Sequence, residues 1–286
     1  MKRCLKSQTA FVVPLVVFFI ISSLFADDGA LTKKTIDNFN SSFEMDAHTR
    51  AMYNSITNND IKSLALNRDV VRQHNEIFSH KIKTKGITNQ KSSGRCWLFA
   101  GLNILRPKVI EKNNIKSFEF SQNYLAFWDK LEKANCFLEN IIEFADRDIL
   151  DREMEFLLRK PIPDGGYWEN VVNLVKKYGA VPHEIMPETN SSGNTGLMNA
   201  LISRKLRADA VKLRNMHKQR NSLKKIRTEK TEMLAEVYKM LVLNLGQPPS
   251  EFQWRFEDAN SVVSEIHTYS PKSFYKKFVD VDLGQY

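Results

Sequence analysis

The sequence predicts an α+β chain built mostly of helices. Three observations carry that expectation. Leu98, Leu102, Leu105 and Val109 follow a helical period from Cys96 onward. Leu197 to Leu245 alternates charged and apolar residues at helical spacing, with a break near Asn221. Only one stretch, Glu251 to Phe256, reads as a strand. With 286 residues, 42% of them hydrophobic and 10% aromatic, the chain can fill one large core or two small ones and is not a disordered polymer.

Taken in order, the chain opens on a leader. Lys2, Arg3 and Lys6 precede the uncharged run Ala10 to Leu24, and Ala26 stands before Asp27 and Asp28. Residues 1–26 have the layout of a signal peptide, which predicts export and no membrane attachment after cleavage. The apolar run is shorter than the roughly 20 residues of a membrane span. Cleavage would remove three positive charges and lower the net charge of +9 to +6. Residues 27–80 read as a polar lead-in with short helices, becoming largely helical from Ala51. Residues 81–286 form the main domain.

Within that domain, Lys81 to Ser93 is loop-like, and a helix opens at Cys96 that Pro107 should kink or end. Ser121 has the character of an N-cap for an amphipathic helix running through Tyr124 to Phe144. Asp151 to Arg159 is a short helix. Pro161 to Gly166 is a turn, and Trp168 to Tyr178 is a helix stopped by Gly179. Pro187 to Gly196 reads as a surface loop ahead of a helical insert at about 197–245, and residues 270–286 look helix-like.

The basic stretch Arg204 to Lys239 reads first as a solvated helical face. A nucleic-acid surface is a weaker reading, because charge alone carries no specificity. The cysteines are Cys4, Cys96 and Cys136. They make no disulfide framework, and Cys136 reads as a small buried apolar residue. Neither Cys-x-x-Cys nor His-x-x-x-His occurs, so the sequence calls for no metal and no cofactor.

The chemistry concentrates in Gln90 to Phe99. A thiol attacks only as a thiolate, and Cys96 sits where a helix dipole favours an anion. Acyl transfer also needs donors for a developing oxyanion. The Gln90 side-chain amide and the Cys96 main-chain N–H can supply two. Gly94 allows close approach, and Trp97 would pack beside the thiol.

The stretch Asn89-Gln-Lys-Ser-Ser-Gly-Arg-Cys-Trp-Leu-Phe99 resembles the papain-like cysteine peptidases, and within them the bleomycin hydrolase and aminopeptidase C branch. Phe118 to Leu125, Phe127 to Lys130, Asp164-Gly165-Gly166, Trp168 to Pro182, Met186 to Glu188 and Gly246 to Pro249 extend the resemblance to the end of the chain. It implies a papain-like α+β fold and a cysteine aminopeptidase acting on peptides. It gives Cys96 as nucleophile and Gln90 as oxyanion donor, with Gly165, Gly166 and Trp97 lining the substrate cleft. It also implies a cytoplasmic, hexameric assembly, where the leader predicts export.

The resemblance places a catalytic His and an orienting Asn late, in a strand-rich half. His48, His74, His80, His183, His217 and His267 each read instead as structural or surface residues. The expectation is therefore of the helical half, with the nucleophile present and the base half absent. Such a chain should expose an apolar patch along the Cys96 helix. A catalytically inactive homologue that binds peptides or a partner fits the same features.

Overall fold

A computed structural model describes residues 29–82 and 86–285. Two compact units divide between Ser79 and His80. The leader expected at residues 1–26 lies outside the described residues.

The first unit holds four helices: α1 (Lys33–Ser42), α2 (Ala47–Asn58), α3 (Ile61–Leu64) and α4 (Arg68–Gln73). Their starts are dictated by Thr32, Asp46, Asp60 and Asn67, whose side chains each accept from a first-turn N–H. None of its described residues is buried. Ile36, Phe39 and Phe43 recur three and four residues apart and stay exposed. The helical character expected from Ala51 to His80 ends at Gln73.

The second unit contains α5 (Cys96–Lys112), α6 (Gln122–Glu143), α7 (Arg152–Arg159), α8 (Trp168–Tyr178), a 3₁₀ turn (His183–Ile185) and the short α9 (Asn190–Gly193). The insert follows as α10 (Gly196–Lys218) and α11 (Leu223–Leu245). After these come β1 (Phe252–Trp254), β2 (His267–Tyr269), α12 (Pro271–Phe278) and a last 3₁₀ turn at Leu283–Gln285. The two strands are antiparallel, with Phe252 opposite Tyr269 and Trp254 opposite His267. The architecture is α+β and mostly helical.

Long α6 is the organising element. Ser121 caps it by accepting from the Tyr124 N–H at 3.0 Å. The inner face of α6 packs against α8 and against both insert helices. Tyr124, Leu125, Phe127, Ala134, Phe137, Leu138 and Ile141 are buried there. Met198, Ile202 and Leu206 of α10, with Val237 and Leu241 of α11, recur at helical spacing and close the other side. Within the same core, Phe118, Trp254, Phe274 and Phe278 form an aromatic group, with ring pairs such as Trp254–Phe278 edge-on at 5.0 Å. Gly179 ends α8 at φ +76°, and a side chain there would run into the Pro271 carbonyl at the start of α12.

Several local expectations need correction. Pro107 does not end α5; the helix continues to Lys112. Proline removes one helical hydrogen bond, while Leu105, Arg106, Val109 and Ile110 around it are all buried and hold the helix in place. Cys136 is exposed, not buried. It lies one turn from half-buried Glu132 and Asn140, on the outward side of α6. Pro187 to Gly196 is not simply a surface loop. Ser192, Gly193 and Thr195 are buried in it, and Thr189 closes a capping box around α9. Strand β2 was not legible as such.

Four of the twelve lysines and arginines between Arg204 and Lys239 are ion-paired within the fold. Lys212 meets Glu229, Lys205 meets Asp209 and Glu236, and Arg227 and Lys230 meet Glu139. These pairs support the reading of a solvated helical face.

Candidate active site

The loop from Gln90 to Arg95 reverses on itself. Lys91 takes a left-handed conformation at φ +53°. The Gln90 side-chain amide then donates to the Ser93 carbonyl at 2.6 Å, and the Ser93 hydroxyl donates back to the Gln90 carbonyl at 2.7 Å. One Gln90 amide hydrogen is thereby engaged and the second remains to donate elsewhere.

Three tethers fix this loop to distant segments. The Ser92 N–H donates to the Gly193 carbonyl at 3.0 Å. The Gly94 N–H donates to Asp164 Oδ2 at 3.1 Å. Arg95, almost fully buried, forks onto both oxygens of Glu188 at 3.0 and 2.6 Å, and the Ser192 hydroxyl donates to the same carboxylate. Gly94 is glycine for a steric reason: a Cβ there would lie 2.8 Å from the Asp164 Cβ.

Cys96 is the first residue of α5 and is exposed. The helix begins without a side-chain cap, because its N-cap residue, Arg95, carries a guanidinium that can only donate. The Leu98 and Phe99 N–H groups donate to the Arg95 carbonyl, whereas those of Cys96 and Trp97 find no acceptor among the described residues. Partial positive charge and free donors therefore converge beside the Cys96 thiol. Farther along the same side of α5, Ala100, Ile104 and Lys108 are exposed. Ile104 borders an apolar groove of about 260 Å³ with Trp168, Val281 and Leu283. Ile104 is the large apolar side chain exposed on α5 among the described residues.

Opposite the thiol-bearing end of α5 lies the segment from Ile162 to Gly166. Trp97 donates its indole N–H to the Asp164 carbonyl at 2.8 Å. Gly166 sits against that indole, and a Cβ on Gly166 would come within 2.6 Å of it. Gly165 faces open space, with nothing within 4 Å of where its Cβ would be. The N–H groups of Gly165 and Gly166 and the Gly166 carbonyl have no partner among the described residues. That is an unpaired edge which an extended peptide could complete with main-chain hydrogen bonds. Lys133 holds the edge from behind, donating to the Pro163 and Gly165 carbonyls at 3.0 and 2.7 Å while its ammonium lies 5.5 Å from the Trp97 ring centre.

The structure thus brings Trp97, Gly165 and Gly166 together and places Cys96 and Gln90 at either end of one tethered loop. Among the described residues, His183, His217 and His267 make their contacts elsewhere than at the thiol. His217 bonds Asp146 at 2.8 Å, His267 faces Glu265, and His183 Nδ1 is buried without a partner in the 3₁₀ turn. The Cys96 thiol has no hydrogen-bonding or ionic partner among the described residues.

Asp164 is the residue that sequence reasoning passed over. Its carboxylate receives Lys130 Nζ at 2.5 Å and Asn199 Nδ2 at 2.8 Å on one oxygen. Thr195 Oγ1 at 2.6 Å and the Gly94 N–H reach the other. Burial pushes this carboxyl up, but the Lys130 charge and the bonds from Lys130, Thr195 and Asn199 hold it well below the usual carboxylate range. Burial disfavours the Lys130 ammonium, and Asp164 opposes that effect. Nearby, burial pushes the Asp129 carboxyl up against the pull of Lys133. One signal was available in the sequence: Lys130 falls on the apolar stripe of α6 between Phe127 and Ala134, where an unpaired charge could not stay.

Comparison with known proteins follows the same lines. The model of the Peptidase C1-like family matches residues 30–286. The chain belongs to the Peptidase C1-like family. It is 41% identical to aminopeptidase C of Listeria monocytogenes over 256 residues, covering 90% of this chain and 57% of that protein. It is 37% identical to human bleomycin hydrolase, covering 78% of this chain and 50% of that protein. The crystal structure of PepW from Lactobacillus rhamnosis HN001 superposes with a TM-score of 0.85 at 38% identity, covering 90% of this chain and 58% of that one. This Peptidase C1-like chain therefore has the papain-like fold and spans about half to three-fifths of the length of the relatives it matches.

Proposed function

We propose that this chain carries the nucleophile and peptide-binding parts of a cysteine-type aminopeptidase resembling bleomycin hydrolase. The observation that carries the reading is the pairing of an exposed Cys96, at an uncapped helix start, with the unpaired main-chain edge at Gly165–Gly166. The names of the relatives, aminopeptidase C and bleomycin hydrolase, support peptides as substrate.

A peptide would lie along that edge with its carbonyl carbon over the Cys96 sulfur. The thiolate attacks the carbon, and the carbonyl π pair moves onto oxygen. The free Cys96 N–H and the second Gln90 amide hydrogen are the donors for that oxyanion. Collapse expels the amine, which takes a proton from an imidazolium, and water then cleaves the thioester. His183, His217 and His267 are engaged or buried away from Cys96, so the reading calls for an imidazole brought to the thiol from elsewhere. Trp97 walls the cleft, and Lys133 keeps the edge in place. Assembly into a homo-oligomer, hexameric by family resemblance, and export by the leader-like residues 1–26 belong to the same proposal.

A second reading rests on the unpartnered thiol: a homologue that binds peptides or a partner without turnover. A peptidyl epoxide separates the two. Rapid modification confined to Cys96, found by mass spectrometry and slower with the Gln90→Ala variant, supports the enzyme. Labelling no faster than that of exposed Cys136 supports the binding protein.

A further inference from the structure

We propose that Asp164 is a positioning residue through which the helical insert sets the register between the peptide-binding edge and the nucleophile. The inference rests on the peptidase reading and deepens it.

The edge has no sheet to hold it. No main-chain hydrogen bond joins residues 162–166 to any described neighbour. Instead, four successive carbonyls each accept from a side chain. Ile162 accepts from Lys130 at 3.2 Å, Pro163 and Gly165 from Lys133, and Asp164 from Trp97. The position of the edge is therefore set by side chains, and two of them, Lys130 and Trp97, bond Asp164.

Its carboxylate is filled on both oxygens by four donors, each from a different part of the chain or a different turn. Lys130 comes from α6, Gly94 from the nucleophile loop, and Thr195 and Asn199 from the start of the insert. Lys130 and Thr195 are buried, so neither contact is a loose surface bond. A carboxylate suits the position because it only accepts, whereas an amide would turn an NH₂ toward one pair of donors. Among the described residues, the hydrogen bonds from the start of the insert to the cleft go to Asp164, whose main chain leads into Gly165 and whose side chain holds the N–H two residues before Cys96. Small displacements between a nucleophile and a bound substrate are costly to reaction rates. Donors on the insert are placed to prevent them.

The test uses the full chain and two reagents on Cys96. Chloroacetamide needs only the thiol. A dipeptidyl chloromethyl ketone needs the thiol and the edge in register. Thr195→Val and Asn199→Leu remove the insert donors and leave the Lys130–Asp164 pair intact. Both are expected to keep the chloroacetamide rate within about twofold, because the thiol itself is unchanged. The ketone rate should fall ~10-fold or more, because register is lost. Thr195→Ser, which restores the hydroxyl, should recover the ketone rate. The paired variant Lys130→Met with Asp164→Asn leaves no lone buried charge, so it should fold and still lose the preference for the ketone. Variants that melt like wild type and keep its ratio of ketone to chloroacetamide rates overturn the proposal alone. A wild-type chain without any preference for the ketone overturns the peptidase reading and this proposal with it.

Discussion

The Trp97 indole N–H donates to the Asp164 carbonyl at 2.8 Å, so the residue after the nucleophile is bonded to the residue before the glycine pair. This contact is one of those that hold the thiol-bearing end of α5 against the peptide-binding edge. It also explains why the two glycines are unequal. Gly166 lies on the face of Trp97, and Gly165 looks into solvent.

That inequality is testable. In Gly166→Ala the new methyl would lie 2.6–2.8 Å from three indole atoms, so either Trp97 or the edge must move. Overpacking of this kind costs about 1–3 kcal/mol. Gly165→Ala meets nothing within 4 Å. Thermal melts should show Gly166→Ala lowered by several degrees and Gly165→Ala close to wild type. Equal melting temperatures would mean that the indole yields freely.

Much of this site was legible in the sequence, and the reasons it was differ from the reasons the rest was not. Gln90, Gly94, Cys96 and Trp97 lie within eight residues, so one local pattern reports all of them. The insert helices were legible because Ile202, Leu206, Ala210 and Leu213 repeat at helical spacing. Asp164 was not, because its partners Lys130, Thr195 and Asn199 lie 31 to 35 residues away and each looks like an ordinary polar residue. Pro107 misled because a local rule about one hydrogen bond was outweighed by burial on both sides of it. Cys136 misled because its neighbours are apolar while its own helical phase points outward.

Arg95 carries a second prediction. Its guanidinium forks onto Glu188, bonds the Ser93 hydroxyl at 3.0 Å and lies 5.2 Å from the Phe99 ring centre. Lysine offers no such fork. Arg95→Ala leaves the Glu188 carboxylate, only a fifth exposed, without its cation. Removing one partner from a buried pair costs about 3–5 kcal/mol, and Arg95→Lys should recover only part of that. Urea midpoints ordered wild type, Arg95→Lys, Arg95→Ala would agree. An Arg95→Lys midpoint equal to wild type would show that the fork contributes nothing.

Ile104 carries a third. It is 58% exposed on α5, two turns beyond Cys96, and opens into the apolar groove with Trp168, Val281 and Leu283. Apolar surface left open in this way favours association. Light scattering should show the apparent mass of the chain rising with concentration, and Ile104→Lys should reduce that rise without lowering the melting temperature. A monomer at every concentration would contradict the prediction.

The fourth concerns pH. The Asp164 carboxyl is held well below its ordinary value despite burial, by Lys130 and by bonds from Thr195 and Asn199. The unfolded chain, with an aspartate pKa near 3.9, therefore takes up this proton before the folded chain does. The stability Asp164 contributes is fully present above about pH 5 and is lost as pH falls below about 4 toward the folded value. Asp129 and Asp209 act with the opposite sign. Burial pushes both carboxyls up, so the fold holds their protons more tightly and loses stability as pH rises past their unfolded values. Comparing wild type with the Lys130→Met, Asp164→Asn variant isolates Asp164, because Asp209 remains in both chains and the opposing pulls of Lys130 and Asp164 on Asp129 are removed together. The gap in melting temperature between wild type and variant should shift against wild type as pH is lowered from 5 to 3. A gap that stays constant over that range would mean that Asp164 titrates alike in the folded and unfolded chains, and that the four donors around it do not favour its charge.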